Sequence, residues 1–199
     1  MKIIGVTGGV GAGKSEILGF IADTWNATVV EADEVAYLLM RPGKACFAPI
    51  VALFGPGILK EDGTLDRDSI AELMFEDPEL RTKINEIVHP AVKEYIKNAI
   101  EREKKHETDF FIVEAALLIE DKYDEICDEL WYIYADEETR MDRLKKNRGY
   151  SEEKVRGIFA SQLTEEEFSE NCDFEIDNSG DMEDTKKQIV QRMQIYENV

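Results

Sequence analysis

The fold is decided by one stretch near the start of the chain, Gly8-Gly9-Val10-Gly11-Ala12-Gly13-Lys14-Ser15. It directly follows residues 2–7, whose β-branched side chains predict a buried strand. It also opens residues 15–25, in which Ile17, Leu18 and Ile21 recur with helical spacing. A Gly-x-x-x-x-Gly-Lys-Ser pattern between a strand and a helix predicts a phosphate-binding loop, or P-loop.

Such a loop binds phosphate mainly through its backbone. Glycine accepts positive φ angles, so successive N–H groups point at phosphate oxygens, and the following helix adds the positive end of its dipole. We expect Lys14 to act in catalysis along the β- and γ-phosphates of ATP, and Ser15 Oγ to bind Mg²⁺. The residues predicted to bind ATP in this stretch are Gly9, Val10, Gly11, Ala12, Gly13, Lys14, Ser15 and Glu16.

The composition is that of an acidic protein with enough apolar residues for a sizeable core. The chain has 199 residues, of which 43% are hydrophobic, and a formal net charge of −19. This charge argues against non-specific nucleic-acid binding, and no apolar run approaches the roughly 20 residues that span a membrane. The chain opens on a strand rather than a signal peptide and its three cysteines are widely spaced, so we expect a cytoplasmic protein with reduced thiols.

Alternating strands and helices predict an α/β fold of the P-loop kinase type. Further strands are expected at 27–31, 109–115, 130–135 and 174–177, and further helices at 33–40, 137–146, 151–163 and 183–196. This order favours a five-stranded parallel sheet with helices on both faces. The expected single domain has a core (1–32, 109–136, 172–199), a helical substrate-binding insert (about 33–108) and a small lid (about 137–171).

The predicted insert is mostly helical. Its only candidate strand is 58–60. Turn-forming residues are expected to interrupt its helices at Phe54-Gly55-Pro56-Gly57, Glu61-Asp62-Gly63 and His89-Pro90.

The classes of P-loop protein differ in their other motifs. No Asn-Lys-x-Asp guanine-binding motif is present, which argues against a GTPase. The third predicted strand ends in Glu114-Ala115-Ala116 rather than in the Asp-Glu of motor ATPases. A small-molecule kinase is therefore the best fit to the sequence.

Two carboxylates follow predicted strands at the edge where ligands bind in such sheets. Asp33 follows the second strand and Glu114 ends the third, so both are predicted to face the substrate. Asp33 would accept the proton of an attacking hydroxyl or orient Mg²⁺. The alternative for Asp33 is a helix N-cap, which its position before Glu34-Val35-Ala36 also allows.

The chain contains one cluster of cations, and two readings of it remain open. Either these residues form a lid that closes on the ATP phosphates, or they form an exposed helix face that pairs with Glu137 and Glu138. By position alone, Arg67 and His89 in the insert would be ordinary surface residues. The cluster comprises Arg140, Arg143, Lys145, Lys146 and Arg148.

In order and spacing, a series of motifs resembles the dephospho-CoA kinase family over nearly the whole chain. The motifs are Thr7 to Ser15, Glu31-Ala32-Asp33, Arg41-Pro42-Gly43, Phe54-Gly55, Asp62-Gly63-Thr64-Leu65-Asp66-Arg67, Phe75-x-Asp77-Pro78, His89-Pro90, Gln162 and Ile176-Asp177-Asn178-Ser179-Gly180. The resemblance implies transfer of the ATP γ-phosphate to the ribose 3′-hydroxyl of dephospho-CoA, the last step of coenzyme A biosynthesis. It implies that Asp33 is the catalytic base and that Arg67 and His89 face the phosphates and ribose of dephospho-CoA.

On the ATP side, the resemblance implies that Asn178 lies where the last strand meets the adenine. Arg140 or Arg143 would be the lid cation. The expected partners are ATP and dephospho-CoA with Mg²⁺, without nucleic acid or membrane, and the oligomeric state stays open.

The chain also departs from the family pattern. Glu16 stands where threonine is usual, Glu114 replaces aspartate, and Ile158 replaces an arginine before Gln162. A lid with fewer cations would stabilise less of the charge that develops on the transferred phosphoryl group. Two alternatives therefore remain at this stage, a divergent kinase of another nucleotide or nucleoside and an ATP-binding module with little catalysis.

Overall fold

The computed structural model describes residues 1–197 and divides the chain into two compact units. The first unit comprises Met1–Val29 together with the chain from Glu103 onward. The second unit comprises Val30–Arg102. Each unit has its own set of buried apolar residues.

The predicted five-stranded parallel sheet is confirmed. Its strands are β1 (Lys2–Thr7), β2 (Ala27–Glu31), β3 (Phe110–Glu114), β4 (Glu129–Tyr134) and β5 (Phe174–Asp177). The spatial order β2-β3-β1-β4-β5 places β1 in the centre, where Ile4 lies opposite Ile112 of β3 and Glu129 of β4. Because β1 is hydrogen-bonded on both sides, its carboxyl end is a fixed platform for the loop that follows.

Helices connect the strands. In residues 1–197 they are α1 (Lys14–Thr24), α2 (Ala32–Leu39), α3 (Phe47–Phe54), α4 (Arg67–Glu76), α5 (Pro78–Glu103), α6 (Glu137–Arg148), α7 (Glu152–Ala160), α8 (Glu165–Asn171) and α9 (Met182–Glu197). None of these helices combines the length and the apolar surface needed to cross a bilayer. Short 3₁₀ turns occur at Pro56–Ile58 and Tyr123–Glu125.

The core of the first unit lies between the sheet, α1 and α9. Side chains four residues apart on each helix reach the sheet together with alternate residues of β1. These fully buried residues are Ile4, Val6, Ile17, Ile21, Ile189 and Met193. On β4, the residue before Tyr132 belongs to this same core, whereas Tyr132 itself stacks on Phe168 of α8 at 4.8 Å between ring centroids. Because adjacent strand residues point to opposite faces, helices cover both faces of the sheet, as predicted.

The second unit is mostly helical, as expected, but two local predictions are wrong. Residues 58–60 form no strand, because only an isolated bridge joins Leu59 to Leu65. The interruption expected at His89-Pro90 is absent, since α5 continues through Pro90. Val88 and Val92 are buried on either side of the proline, so packing maintains the helix although Pro90 donates no hydrogen bond.

The helix predicted from 151 to 163 is shorter in the structure, and a further helix follows it. Helix α7 ends at Ala160, and α8 follows as a separate helix. A capping box starts α8, in which Thr164 Oγ1 accepts from the Glu167 N–H (3.2 Å) and Glu167 Oε2 accepts from the Thr164 N–H (2.8 Å). The sequence pattern Thr-x-x-Glu carries this signal, but no helix was predicted between residue 163 and the last strand.

Candidate active site

The loop between β1 and α1 is shaped by glycines that no other residue could replace. Gly8 has a φ angle of 150°, and a Cβ atom there would lie 2.4 Å from the backbone oxygen of Ile133. Gly13 has a φ angle of 92°, and its Cβ would lie 2.4 Å from Nδ2 of Asn178. Neighbouring strands and side chains therefore approach the loop more closely than a larger residue permits.

The loop presents a row of backbone donors that the protein does not satisfy. The side chains of Ser15 and Glu16 are exposed beside this row. Unpaired N–H groups at the start of a helix favour an anion, since they supply hydrogen bonds and the positive end of the dipole. Within the described part of the chain, no hydrogen bond is made by the backbone N–H groups of Gly11, Gly13, Lys14 and Ser15.

Lys14 arches back over this loop. Its Nζ donates to the backbone oxygen of Gly8 at 2.8 Å and lies 3.5 Å from Oε1 of Glu114. Glu114 ends β3 and is buried, so its carboxylate holds the ammonium group close to the sheet edge. The structure therefore brings together the lysine of the predicted P-loop and the carboxylate that the sequence placed at the end of the third strand.

Arg143 and Asn178 hold the middle of the loop from the other side. Arg143 donates to the backbone oxygens of Asn178 (2.8 Å) and Ala12 (3.3 Å). Asn178 is 1% exposed, and its Nδ2 donates to the Ala12 oxygen at 2.7 Å while its Oδ1 accepts from Thr185 at 2.9 Å. Both ends of the Asn178 amide are thus used inside the protein. A contact between Asn178 and a nucleotide base stays a prediction.

Arg140 is a buried cation on the same loop. Its Nε donates to the backbone oxygen of Val10 at 3.1 Å, and its guanidinium lies 4.2 Å above the ring of Phe159. Only 8% of the residue is exposed, and within residues 1–197 no carboxylate lies at ion-pair distance from it. Burial lowers the pKa of Arg140, but a guanidinium stays charged in proteins. Glu165 and Glu137 act on this charge only from beyond ion-pair distance, so the buried guanidinium favours an anion that binds directly beside it.

The remaining cations of the cluster are arranged differently. Lys145 pairs with Glu152 at 3.5 Å, while Lys146 and Arg148 are exposed. Arg156 of α7 pairs with Glu152 at 2.9 Å and with Glu137 at 3.6 Å. Arg140 and Arg143 therefore contact the loop, and Lys145 pairs with Glu152 rather than with Glu137 or Glu138. A lid that closes on the ATP phosphates stays a prediction.

Asp33 belongs to the second unit and lies exposed in the first turn of α2. The N-cap position of α2 is Glu31, and no side chain caps the helix there. The alternative explanation of Asp33 as a helix cap is therefore wrong. Its carboxylate makes no hydrogen bond or ion pair with the described residues, which leaves it available to a ligand.

The second unit also contains a cavity of about 420 Å³ with several cations on its wall. Arg67, the first residue of α4, places its guanidinium 3.9 Å above the ring of Tyr37. Arg41 and Lys60 line the same cavity. His89 does not line it and is half-buried in α5, so the structure groups Arg67 with other residues than the sequence had paired it with.

The sequence and fold were compared with those of known proteins. A family model described as dephospho-CoA kinase matches residues 2–184. The chain belongs to the dephospho-CoA kinase family. The dephospho-CoA kinase of Symbiobacterium thermophilum is 34% identical over 189 residues, which are 95% of this chain and 79% of that protein. The dephospho-CoA kinase of Listeria innocua is 36% identical over 199 residues, which cover 99% and 98% of the two chains.

A solved structure shows the same fold. The dephospho-CoA kinase from Campylobacter jejuni has a TM-score of 0.73 to this chain at 24% identity, with 98% and 96% of the two chains covered. Together these findings confirm the predicted P-loop kinase fold and the predicted membership of an ATP-dependent kinase family.

Sequence reasoning gave no role to two residues that the fold of this chain brings to these sites. Gln162 contacts the loop, although the sequence marked it only as a family motif. Tyr37 lies four residues after Asp33, the helical spacing that places both on one side of α2. The sequence signal for Gln162 is the contrast between its uncharged amide and the acidic run Glu165 to Glu167, which begins three residues later.

We predict that Gly8→Ala abolishes measurable ATP binding and lowers the free energy of unfolding by about 1–3 kcal/mol, because the new Cβ meets a backbone oxygen that cannot move aside. The matched control is Gly19→Ala in α1, where a Cβ has open space. There the same change should stabilise the protein by about 0.5–1 kcal/mol. Urea denaturation and calorimetric titration with Mg·ATP measure both effects, and equal behaviour of the two variants would contradict the prediction.

Proposed function

We propose that this protein transfers the γ-phosphoryl group of ATP to the ribose 3′-hydroxyl of dephospho-CoA, the last step of coenzyme A biosynthesis. Membership of the family supports the reaction and the acceptor. The observation that carries the ATP side is the buried Arg140, which has no carboxylate at ion-pair distance among residues 1–197 and lies against a loop with unsatisfied N–H groups. An anion of several negative charges satisfies both features at once.

The ATP phosphates bind to the loop from Gly9 to Glu16 and to Arg140. When ATP binds, the ammonium group of Lys14 exchanges the Gly8 oxygen for the β- and γ-phosphates. Glu114 keeps this ammonium group near the sheet edge. Arg143 and Asn178 act through the loop, because their side chains hold the oxygen of Ala12. The adenine lies near Asn178 at the end of β5.

The chemical step is an in-line displacement at the γ-phosphorus. The ribose 3′-oxygen forms a bond to phosphorus as the bond to the β,γ-bridging oxygen breaks, and ADP leaves with that electron pair. Asp33 accepts the proton of the attacking hydroxyl, which its exposed and unengaged carboxylate allows. Lys14 and Arg140 offset the charge that develops on the transferred group.

Mg²⁺ would be held by Ser15 Oγ together with phosphate oxygens and water. The Ser15 hydroxyl is exposed in the first turn of α1, beside the unsatisfied N–H groups. In residues 1–197 no three His, Cys, Asp or Glu side chains converge as a metal site, and Mg²⁺ in kinases does not need such a cluster. When bound, the ion neutralises charge on the β- and γ-phosphates.

The acceptor binds to the second unit, which we assign as the substrate-binding insert of about residues 33–108. The cations Arg41, Lys60 and Arg67 around its cavity suit the diphosphate of dephospho-CoA, and the ring of Tyr37 holds Arg67 in place. We assign His89 to the same substrate and residues of about 137–171, containing α6 to α8, to the lid. The reaction takes place in the cytoplasm and needs neither nucleic acid nor membrane.

The first prediction of this proposal concerns Asp33. Wild-type protein incubated with Mg·ATP and dephospho-CoA should form coenzyme A, and Asp33→Asn should lower kcat about 10²–10⁴-fold because the proton acceptor is lost. Mass detection of coenzyme A measures the product. Asp68→Asn is the matched control, since Asp68 is also exposed in the first turn of a helix in the same unit.

Three outcomes separate the candidate functions. Product from the wild type that is lost only in Asp33→Asn supports the proposal. ATP binding with phosphorylation of another nucleotide or nucleoside would show that the acceptor is not dephospho-CoA. ATP binding without turnover of any acceptor would show an ATP-binding module instead of a kinase.

The second prediction concerns the cavity. Arg67→Met should raise KM for dephospho-CoA about 10–100-fold and leave KM for ATP unchanged, because a charged hydrogen bond to phosphate is lost. The matched control is Arg81→Met, which removes an exposed arginine of α5 outside the cavity. Steady-state kinetics with each substrate varied in turn measure the effect. A rise in KM for ATP instead would contradict the assignment.

A further inference from the structure

Gln162 and Arg140 hold the two polar groups of one peptide residue in the phosphate loop. Gln162 Oε1 accepts a hydrogen bond from the Val10 N–H at 3.2 Å, and Arg140 Nε donates to the Val10 oxygen at 3.1 Å. Arg140 Nη2 also donates to Gln162 Oε1 at 2.8 Å. The three residues therefore form a closed hydrogen-bonded ring, which we call the Val10 clasp.

The Val10 clasp fixes the orientation of the Gln162 amide. Two donors, the Val10 N–H and the Arg140 guanidinium, converge on the same atom of Gln162. Only the oxygen end of an amide accepts hydrogen bonds, so the NH₂ end cannot take this position. A residue at 162 must therefore offer an acceptor at this distance from the backbone.

The charge of that acceptor is the decisive property. A carboxylate would accept the same two hydrogen bonds and would form an ion pair with Arg140, which has none with the residues that the structure describes. An amide satisfies the donors without neutralising the guanidinium. The amide stands close to an acidic run, since Glu165, Glu166 and Glu167 begin three residues after Gln162.

The clasp also links separate parts of the chain. Val10 belongs to the loop, Arg140 to α6, and Gln162 follows α7, so the lid segment and the loop share one ring of hydrogen bonds. Phe159, at the end of α7, supports the other face of the guanidinium at 4.2 Å. With its Nε and one Nη2 donor used in the clasp, Arg140 has its other N–H groups left for a ligand.

We propose that Gln162 is a positioning residue for phosphoryl transfer, which holds Arg140 against Val10 through an uncharged acceptor so that the guanidinium keeps its full charge for the phosphates. This inference rests on the proposed function only in that Arg140 binds the phosphates of ATP. Removal of the Gln162 acceptor leaves Arg140 with one hydrogen bond to the loop, at the Val10 oxygen, and a small misplacement of a catalytic group costs a large factor in rate. Replacement of Gln162 by a carboxylate keeps the hydrogen bonds of the clasp, but its negative charge compensates the positive charge of Arg140.

The test compares Gln162→Met, which removes the acceptor at similar size, with Gln162→Glu, which keeps the acceptor and adds a charge. Both variants should lower kcat about 10–100-fold and weaken binding of a non-hydrolysable ATP analogue with Mg²⁺, while KM for dephospho-CoA stays unchanged. Gln162→Glu should keep the wild-type melting temperature, because its hydrogen bonds are intact. In Gln162→Glu the affinity should recover as the pH falls and the introduced carboxylate is protonated.

The matched controls are Gln191→Met and Gln191→Glu, at an exposed position of α9. Wild-type kcat and affinity in Gln162→Glu would show that the amide has a structural role only, and would overturn the proposal. Wild-type values in Gln162→Met would overturn it as well. If Gln162→Met does not fold, Gln162→Glu alone decides. Because the analogue binds without an acceptor, this test stands even if the protein does not phosphorylate dephospho-CoA.

Discussion

The phosphate loop keeps its shape because side chains from the last third of the sequence hold its peptide groups. A loop with glycine at four of the six positions from 8 to 13, all except Val10 and Ala12, has little conformational preference of its own. Arg140 and Gln162 hold Val10, while Arg143 and Asn178 hold the oxygen of Ala12. The N–H groups that remain are then directed outward together, which is the condition for binding a polyanion.

This arrangement also explains how a protein with a net charge of −19 can bind nucleotides. Most of its acidic residues lie on the surface, and nearby cations such as Lys145 and Arg156 are engaged by Glu152. Arg140 differs from these cations, because it is buried on the loop without a carboxylate at ion-pair distance in the described chain. Attraction between charges is stronger in such a site than in water, so one well-placed cation matters more than the overall charge.

The sequence predicted the features that depend on local patterns. Buried strands, the strand–loop–helix motif and the helical content of the insert all leave a signal within a few residues, and each is found in the structure. The predicted interruption of α5 at Pro90 was wrong, because the effect of Pro90 depends on the burial of its neighbours Val88 and Val92. The family resemblance named Arg67, but only the structure shows that Tyr37 supports it beside a cavity.

The contacts that hold the loop were beyond reach of the sequence for a simple reason. Val10 is separated from Arg140 by 130 residues and from Gln162 by 152 residues, so no periodicity connects them.

The most direct test of the account is calorimetric titration of Mg·ATP into Arg140→Met, with the exposed Arg148→Met as control. The account predicts a loss of affinity of at least about tenfold in Arg140→Met alone. An unchanged affinity in a folded Arg140→Met protein would contradict it.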